Sequence, residues 1–282
     1  MESDGVRRAD GSATAHAERL GRVYGPVTWD VYEQLDRSLG PRGPEWLVER
    51  AAGWLRAGDA VLDAGCRDGA QLIRLVGERD VTGYGIDPVE LHVRQAREAV
   101  EAAGLEERIS VERLGMEELA GSERRFDLIW CREVVPQLED LAGALAGAAS
   151  VLKADGRMVV FTQTATELLT AGEADMMSRH LGNVIANLDE ATLETAFAGA
   201  GLVVDEKDVI GTEWREYGEE RTQPVSRALL RLARLRRTRE AMVAEHGADV
   251  YQHVEANLHW EVYQFLGKLR PTVYVLKRGD RS

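Results

Sequence analysis

The chain has 282 residues, and its 35 Lys and Arg against 48 Asp and Glu leave a formal charge of −13. That sign disfavours phosphate backbones and anionic membrane surfaces as general partners, and no apolar run reaches the roughly 20 residues of a membrane span. The two cysteines, Cys66 and Cys131, exclude a disulfide framework and leave no plausible zinc site; with no apolar h-region at the amino terminus, a reducing cytoplasm is the expected compartment.

Residues 1–23 are polar, rich in Gly, Ala and Arg, and aperiodic, which predicts a flexible segment. Tyr24, Trp29 and Tyr32 follow, with Thr28 placed to N-cap a short helix. A turn cluster at 40–44 precedes an amphipathic helix over 45–55, so residues 24–55 read as an amino-terminal helical cap. From residue 56 the pattern alternates strand and helix: strands at 60–64, 81–86, 109–113, 126–131 and 156–161, helices at 69–78, 90–103 and 138–151. A helix over 189–200, a strand from 202 to about 210 and a last strand at 272–276 complete it. This predicts an α/β fold with a doubly wound, mostly parallel, Rossmann-like sheet. Two helical insertions, near 166–187 and 211–270, predict a lid over the sheet. The second contains one basic helix over 225–245, whose plain reading is a solvated amphipathic helix and whose sharper reading is a carrier-protein or homodimer contact.

Ligands of open parallel sheets bind beyond the carboxyl ends of the strands. The first strand leads into Asp63-Ala64-Gly65-Cys66-Arg67-Asp68-Gly69, where two glycines let backbone approach a ligand closely. The second ends at Asp87, placed to accept hydrogen bonds from ribose hydroxyls. Met116 and Glu117 follow the third strand, and Cys131-Arg132-Glu133 the fourth. The loop does not match the G-x-G-x-x-G of nicotinamide-binding folds.

These segments resemble the class I S-adenosylmethionine-dependent methyltransferases, whose first motif is D-x-G-C-G-x-G. The resemblance runs over about residues 55–163, including Val151-Leu152-Lys153-Ala154-Asp155-Gly156-Arg157 as the family's "VLKPGGR" segment, and more weakly to the last strand. It implies a seven-stranded sheet with a helical lid before the last strand, and S-adenosylmethionine as cofactor. Gly65 and Gly69 would border its methionine part, Asp63 its amino group, Asp87 the ribose, and Met116 and Glu117 the adenine; Cys66, Pro88, Cys131 and Arg132 would line the same site. Two departures stand out: Arg67 replaces the usual middle glycine and Met116 the usual Asp.

The N-P-P-[YFW] segment of amino-group methylation and the Pro-Cys of cytosine methylation are absent, which leaves a small-molecule acceptor, as in natural-product tailoring methyltransferases. Transfer to O or N would be an in-line displacement assisted by a base. Candidate bases are His259 and His180, against the plainer reading of both as surface or structural; Glu133, near the expected methyl position, is the third catalytic candidate, placed to orient the acceptor. Trp29, Tyr32, Glu213, Trp214 and Tyr217 are the substrate-binding candidates, the carboxylates of 213–220 being suited to a cationic amine. The rival reading is a protein that binds S-adenosylmethionine without transferring the methyl group.

Overall fold

The computed structural model of the chain describes residues 9–77 and 79–279. Residues 1–8, in the segment expected to be flexible, Glu78, at the expected end of a helix, and residues 280–282 lie outside the described residues. Two units separate between Pro41 and Arg42. The smaller contains helices α1 (Ala9–Val23) and α2 (Pro26–Leu35). Residues 9–23 are thus helical, against the expectation of flexibility, since Ala, Glu, Leu and Arg favour the helix. Pro26 opens α2 at its first turn, so Thr28 does not cap it; its hydroxyl donates to the Val23 carbonyl at 2.7 Å. Trp29 and Tyr32, three apart on α2, have ring centroids 5.9 Å apart.

The larger unit is built on a seven-stranded sheet of order β3-β2-β1-β4-β5-β7-β6. Its strands are β1 (Ala60–Ala64), β2 (Thr82–Asp87), β3 (Ile109–Arg113), β4 (Phe126–Arg132), β5 (Leu152–Ala165), β6 (Leu202–Val209) and β7 (Leu269–Arg278). The first five pair in parallel, and β7 runs antiparallel to both β5 and β6. This is the expected Rossmann-like, mostly parallel sheet. Its central strands bury side chains on both faces, as parallel sheets require. On one face α3 (Pro44–Ala52), α4 (Ala70–Gly77) and α5 (Glu90–Ala102) cover Val61, Leu128 and Trp130. On the other, α6 (Leu141–Val151) and α8 (Glu190–Gly199) cover Leu62, Ile129 and Tyr274. The unit boundary cuts the segment 24–55 that had been expected to act as one cap. Leu47, Val48 and Ala51 of α3 belong to the sheet's core, which binds that helix to the larger unit.

Because β5 and β6 run with the parallel strands and β7 runs against them, β5 and β6 end, and β7 begins, at one edge. Both insertions leave from this carboxyl edge. The first carries α7 (Ala171–Leu181); the second carries α9 (Glu213–Thr222), α10 (Pro224–Arg237), α11 (Arg239–His246) and α12 (Ala248–Phe265). They meet through Met177 and Leu188 of one against Tyr263 and Leu269 at the end of the other. Val225, Ala228 and Leu232 of α10 pack on Leu258 and Val262 of α12. The basic helix expected over 225–245 divides at Thr238, whose hydroxyl donates back to the Arg234 carbonyl at 3.0 Å and ends α10.

The fifth strand is longer than its apolar run. It continues past Phe161 through Thr162, Gln163 and Thr164, all fully buried, because β7 supplies ladder partners as far as Ala165. On the opposite flank Phe197 of α8 is fully buried with its ring 5.2 Å from that of Tyr274. Phe197→Ala should cost about 3–5 kcal/mol, seen as a lower urea midpoint with an unchanged slope.

Candidate functional site

The β1–α4 loop is fixed by its own backbone. The amides of Gly65 and Cys66 both donate to the Ile86 carbonyl, at 2.8 and 2.9 Å, and Gly69 closes the turn onto the Cys66 carbonyl at 2.8 Å. Gly65 and Gly69 have φ of 79° and 75°, and a Cβ on Gly65 would collide with Val134, so glycine is required there. Arg67 has φ of 48°, a left-handed conformation that strains any side chain and that glycine adopts freely. Its amide donates to Asp87 Oδ2 at 3.1 Å, and Asp87 Oδ1 accepts from the Val89 amide at 2.9 Å and lies 3.1 Å from His92 Nδ1. Pro88 follows on the surface, its carbonyl accepting from Arg113.

Asp63 is 2% exposed, and its Oδ2 has no hydrogen-bond partner. Burial pushes its carboxyl up to about 7, against the pull of the Arg132 charge. The site therefore offers an acceptor oxygen that no group of the described residues satisfies. That orphaned carboxylate oxygen, the glycine loop and the Asp87 carboxylate fit S-adenosylmethionine, whose methionine end carries an ammonium and a sulfonium. Cys66 and Cys131 are buried thiols raised by desolvation. Met116 is buried, 4.0 Å from the Cys131 sulfur, and Glu117 is exposed beside Gly115.

At the end of β4, Glu133 has φ of 59°, a conformation that non-glycine residues keep only when their surroundings impose it. Its amide donates to the Phe161 carbonyl at 2.8 Å, and its Oε1 accepts from Gln163 Nε2 at 2.6 Å. Burial raises its carboxyl above the usual range, opposed by that hydrogen bond and by the charges of Arg132 and Arg215. Arg132 lies 5.5 Å from the Trp214 ring, which in turn packs on Phe161 at 4.2 Å. Arg215 Nε donates to Gln264 Oε1 at 2.9 Å. The structure thus brings Asp63, Arg132, Glu133 and Trp214 together with Gln163, Arg215 and Gln264, three residues the sequence reading missed. Gln163 sat past the apolar run of β5, Arg215 among carboxylates, and Gln264 beside the apolar stripe of α12. A polar Thr-Gln-Thr continuing a buried strand was the one usable signal.

Other candidates are engaged elsewhere. Glu213 is no mouth carboxylate: Arg42 pairs with it at 2.7 Å and with Asp208 at 2.9 Å, and the Arg42 hydrogen bond holds the Glu213 carboxyl below its ordinary range. Glu216 accepts from the Thr212 hydroxyl and Glu219 from the first amides of α10. Tyr217 covers Gly43, where a side chain would collide with the ring, and stacks with Arg221 at 3.6 Å. These groups hold α9 to α3 and to the start of α10. His259 has Nδ1 at 2.7 Å from the Glu255 carbonyl and Nε2 at 3.1 Å from Arg236 Nη2, so both ring nitrogens are occupied. His180 is the penultimate residue of α7, and its backbone carbonyl, not its ring, lies 2.7 Å from His253 Nδ1.

Two predictions follow from the buried carboxylate and the strained loop. Protonation of Asp63 favours the folded state, so its stabilising effect is complete below about pH 4 and is lost as pH rises towards 7. Asp63→Asn should therefore gain stability over the parent between these limits, on the order of 2–4 kcal/mol above pH 7, while losing affinity for S-adenosylhomocysteine; thermal unfolding against pH and calorimetry measure the two. Arg67→Gly should raise stability by about 0.5–1 kcal/mol through relief of the left-handed backbone, read as a higher midpoint in urea.

A family profile described as "Methyltransferase domain" matches residues 37–207. The 27-O-demethylrifamycin SV methyltransferase of Amycolatopsis mediterranei (strain S699) is 34% identical over 148 residues, 52% of this chain and 54% of the relative. Methyltransferase GfsG of Streptomyces halstedii is 31% identical over 121 residues, 43% of each chain. The chain spans about half the length of these curated relatives. Among solved structures, the [4+2]-cyclase SpnF superposes with a TM-score of 0.65 at 17% identity, covering 83% of this chain and 80% of that one, a likeness of fold. With the sheet order, the glycine loop and the acidic residue ending β2 in place, the chain belongs to the class I S-adenosylmethionine-dependent methyltransferases.

Proposed function

We propose that this chain transfers a methyl group to an oxygen or nitrogen of a small molecule in secondary metabolism. The observation that carries the reading is Glu133: a carboxylate in a left-handed backbone at the end of β4, raised by burial and oriented by Gln163. Bound S-adenosylmethionine supplies an electrophilic methyl group. The Gly65–Gly69 backbone would border its methionine part, Asp63 would take its positive charge and Asp87 the ribose. Met116 and Glu117 would border the adenine, and Cys66, Pro88, Cys131 and Arg132 would complete that lining.

Glu133 takes the acceptor's proton. A base with a raised carboxyl is strong enough for a hydroxyl held by neighbouring charges, and its hydrogen bond to Gln163 fixes its direction. Both ring nitrogens of His259 are engaged and His180 lies on α7, so Glu133 is the favoured base of the three. Trp214 forms an aromatic wall beside Arg132. The name of the rifamycin relative, which specifies a 27-O-demethyl substrate, supports oxygen as the acceptor atom. The net charge of −13 supports a small molecule over nucleic acid. No helix among the described residues is long and apolar enough to cross a membrane, and a cytoplasmic enzyme is proposed. A second reading, cofactor binding without transfer, is favoured by the engagement of both His259 ring nitrogens.

Incubation with methyl-labelled S-adenosylmethionine and a panel of hydroxyl and amine acceptors distinguishes the two. Transfer of label supports the methyltransferase. Label retained on the donor across the panel, with S-adenosylhomocysteine bound, supports the second reading. With an acceptor in hand, Glu133→Gln should lower kcat by about 10²-fold or more without weakening S-adenosylhomocysteine. Wild-type activity should fall as pH drops through a transition above the ordinary carboxylate range, because the base is lost on protonation. Asp87→Ala should weaken S-adenosylhomocysteine by about 1.5–3 kcal/mol in calorimetry.

A further inference from the structure

Several arginines of this chain sit against carboxylates. Arg42 and Arg50 bind Asp208, Arg74 pairs with Glu45, Arg236 with Glu255 and Arg270 with Glu190. Arg215 does not. It leaves the first turn of α9 and points inward, and its hydrogen bond runs from Nε to the amide oxygen of Gln264. The charges around it are Glu261, Glu133 and Arg132, and no carboxylate among the described residues lies within ion-pair distance. Removing a guanidinium from water is costly unless an anion compensates it.

The groups next to it are likewise incomplete. Gln264 is fully buried, its oxygen used by Arg215 and its Nε2 without a partner. Gln163 is fully buried, its Nε2 used by Glu133 and its Oε1 without a partner. Arg132 Nε is buried and unpartnered. These side chains come from β4, β5, α9 and α12, so tertiary folding alone gathers them. The carboxylates whose charges reach these two guanidiniums include Glu133, Glu261 and Asp63, and none of the three is in an ion pair with Arg215. The one side-chain hydrogen bond of Arg215 among the described residues is that of its Nε, which leaves its terminal nitrogens without a carboxylate. An acidic oxygen would complete the pairing of the Arg215 guanidinium.

We propose that the acceptor is a small molecule with an acidic hydroxyl, of the phenol or enol class, bound with that oxygen against Arg215. The proposal rests on the methyltransferase reading and names its substrate class. Glu133 removes the proton: the O–H bond breaks, the proton goes to the carboxylate, and the electron pair stays on the acceptor oxygen as an oxyanion held by Arg215. Gln264 fixes the guanidinium through Nε, which leaves its two terminal nitrogens for the ligand in the forked geometry that suits an oxyanion. Arg215 is then a binding residue for the reacting atom, and Gln264 a positioning residue.

The test uses the full chain saturated with S-adenosylhomocysteine and 4-nitrophenol as the probe, whose phenolate absorbs visible light. Bound probe should ionise at lower pH than free probe, by a shift equivalent to about a tenfold preference for the phenolate. Arg215→Met should abolish the preference, Arg215→Lys should keep part of it, and Arg227→Met, on the exposed part of α10, should leave it unchanged. Circular dichroism and S-adenosylhomocysteine calorimetry on the same samples establish that each variant is folded. An unshifted titration in the parent, a shift retained in Arg215→Met, or tighter binding of benzylamine than of 4-nitrophenol overturns the proposal while cofactor binding stands. Failure of the parent to bind S-adenosylhomocysteine overturns the methyltransferase reading with it.

Discussion

β7 enters the sheet between β5 and β6 in the opposite direction to both, and the chain above the carboxyl edge is organised by that reversal. A strand that begins where its neighbours end must be reached from that same edge. The helices before it therefore start and finish beside the loops that follow β1, β2 and β4. The reversal also lengthens β5, because β7 offers hydrogen-bond partners to backbone beyond the apolar run. That extension places Gln163 beside Glu133, and the return of α12 into β7 places Gln264 beside Arg215. Each pair consists of one charged group and one fully buried amide, drawn from distant parts of the chain.

The consequence is a concentration of charge where water is scarce. Burial raises the carboxyls of Asp63 and Glu133 and lowers the affinity of Arg132 and Arg215 for their protons. None of these is a favourable arrangement for stability alone. The backbone is strained at the same place, with Arg67 and Glu133 in the left-handed region. Strain and desolvation gathered at one edge are what a binding and proton-transfer site requires, since groups already stripped of water need little reorganisation when a ligand arrives. The two apolar layers on the faces of the sheet supply the rigidity that holds them there.

The acidic character of the chain belongs to a different part of the molecule. Glu213 and Asp208 are tied to Arg42 and Arg50, Glu219 caps α10, and Glu173 joins Lys268 across the two insertions. These pairs orient helices relative to one another and are largely neutralised where they stand. The groups proposed to face the acceptor, Arg132, Arg215 and Glu133, carry both signs and form no ion pair among the described residues. Net charge governs encounter at long range; recognition in the site is set by the few groups that remain uncompensated.

Short apolar strands alternating with amphipathic helices sufficed to read the sheet, because a strand buried on both faces can be composed of little else. The same holds for the glycine loop after β1 and for Asp87, since backbone conformation and the end of a strand are local properties. Glu133 was legible as a candidate for the same reason. The partners of the charged side chains were not. Glu213 and Tyr217 looked available because their neighbours in sequence are polar, yet Arg42 and Gly43, some 170 positions away, occupy them. Gln163 and Gln264 looked unremarkable because an amide carries no charge and fits equally well on a surface. Sequence alone determined the fold and the place of the cofactor loop, both of which follow from periodicity and strand ends. Only the tertiary structure decided which charges are paired and which stand uncompensated, because that depends on contacts between residues whose separation along the chain carries no information about their distance in space.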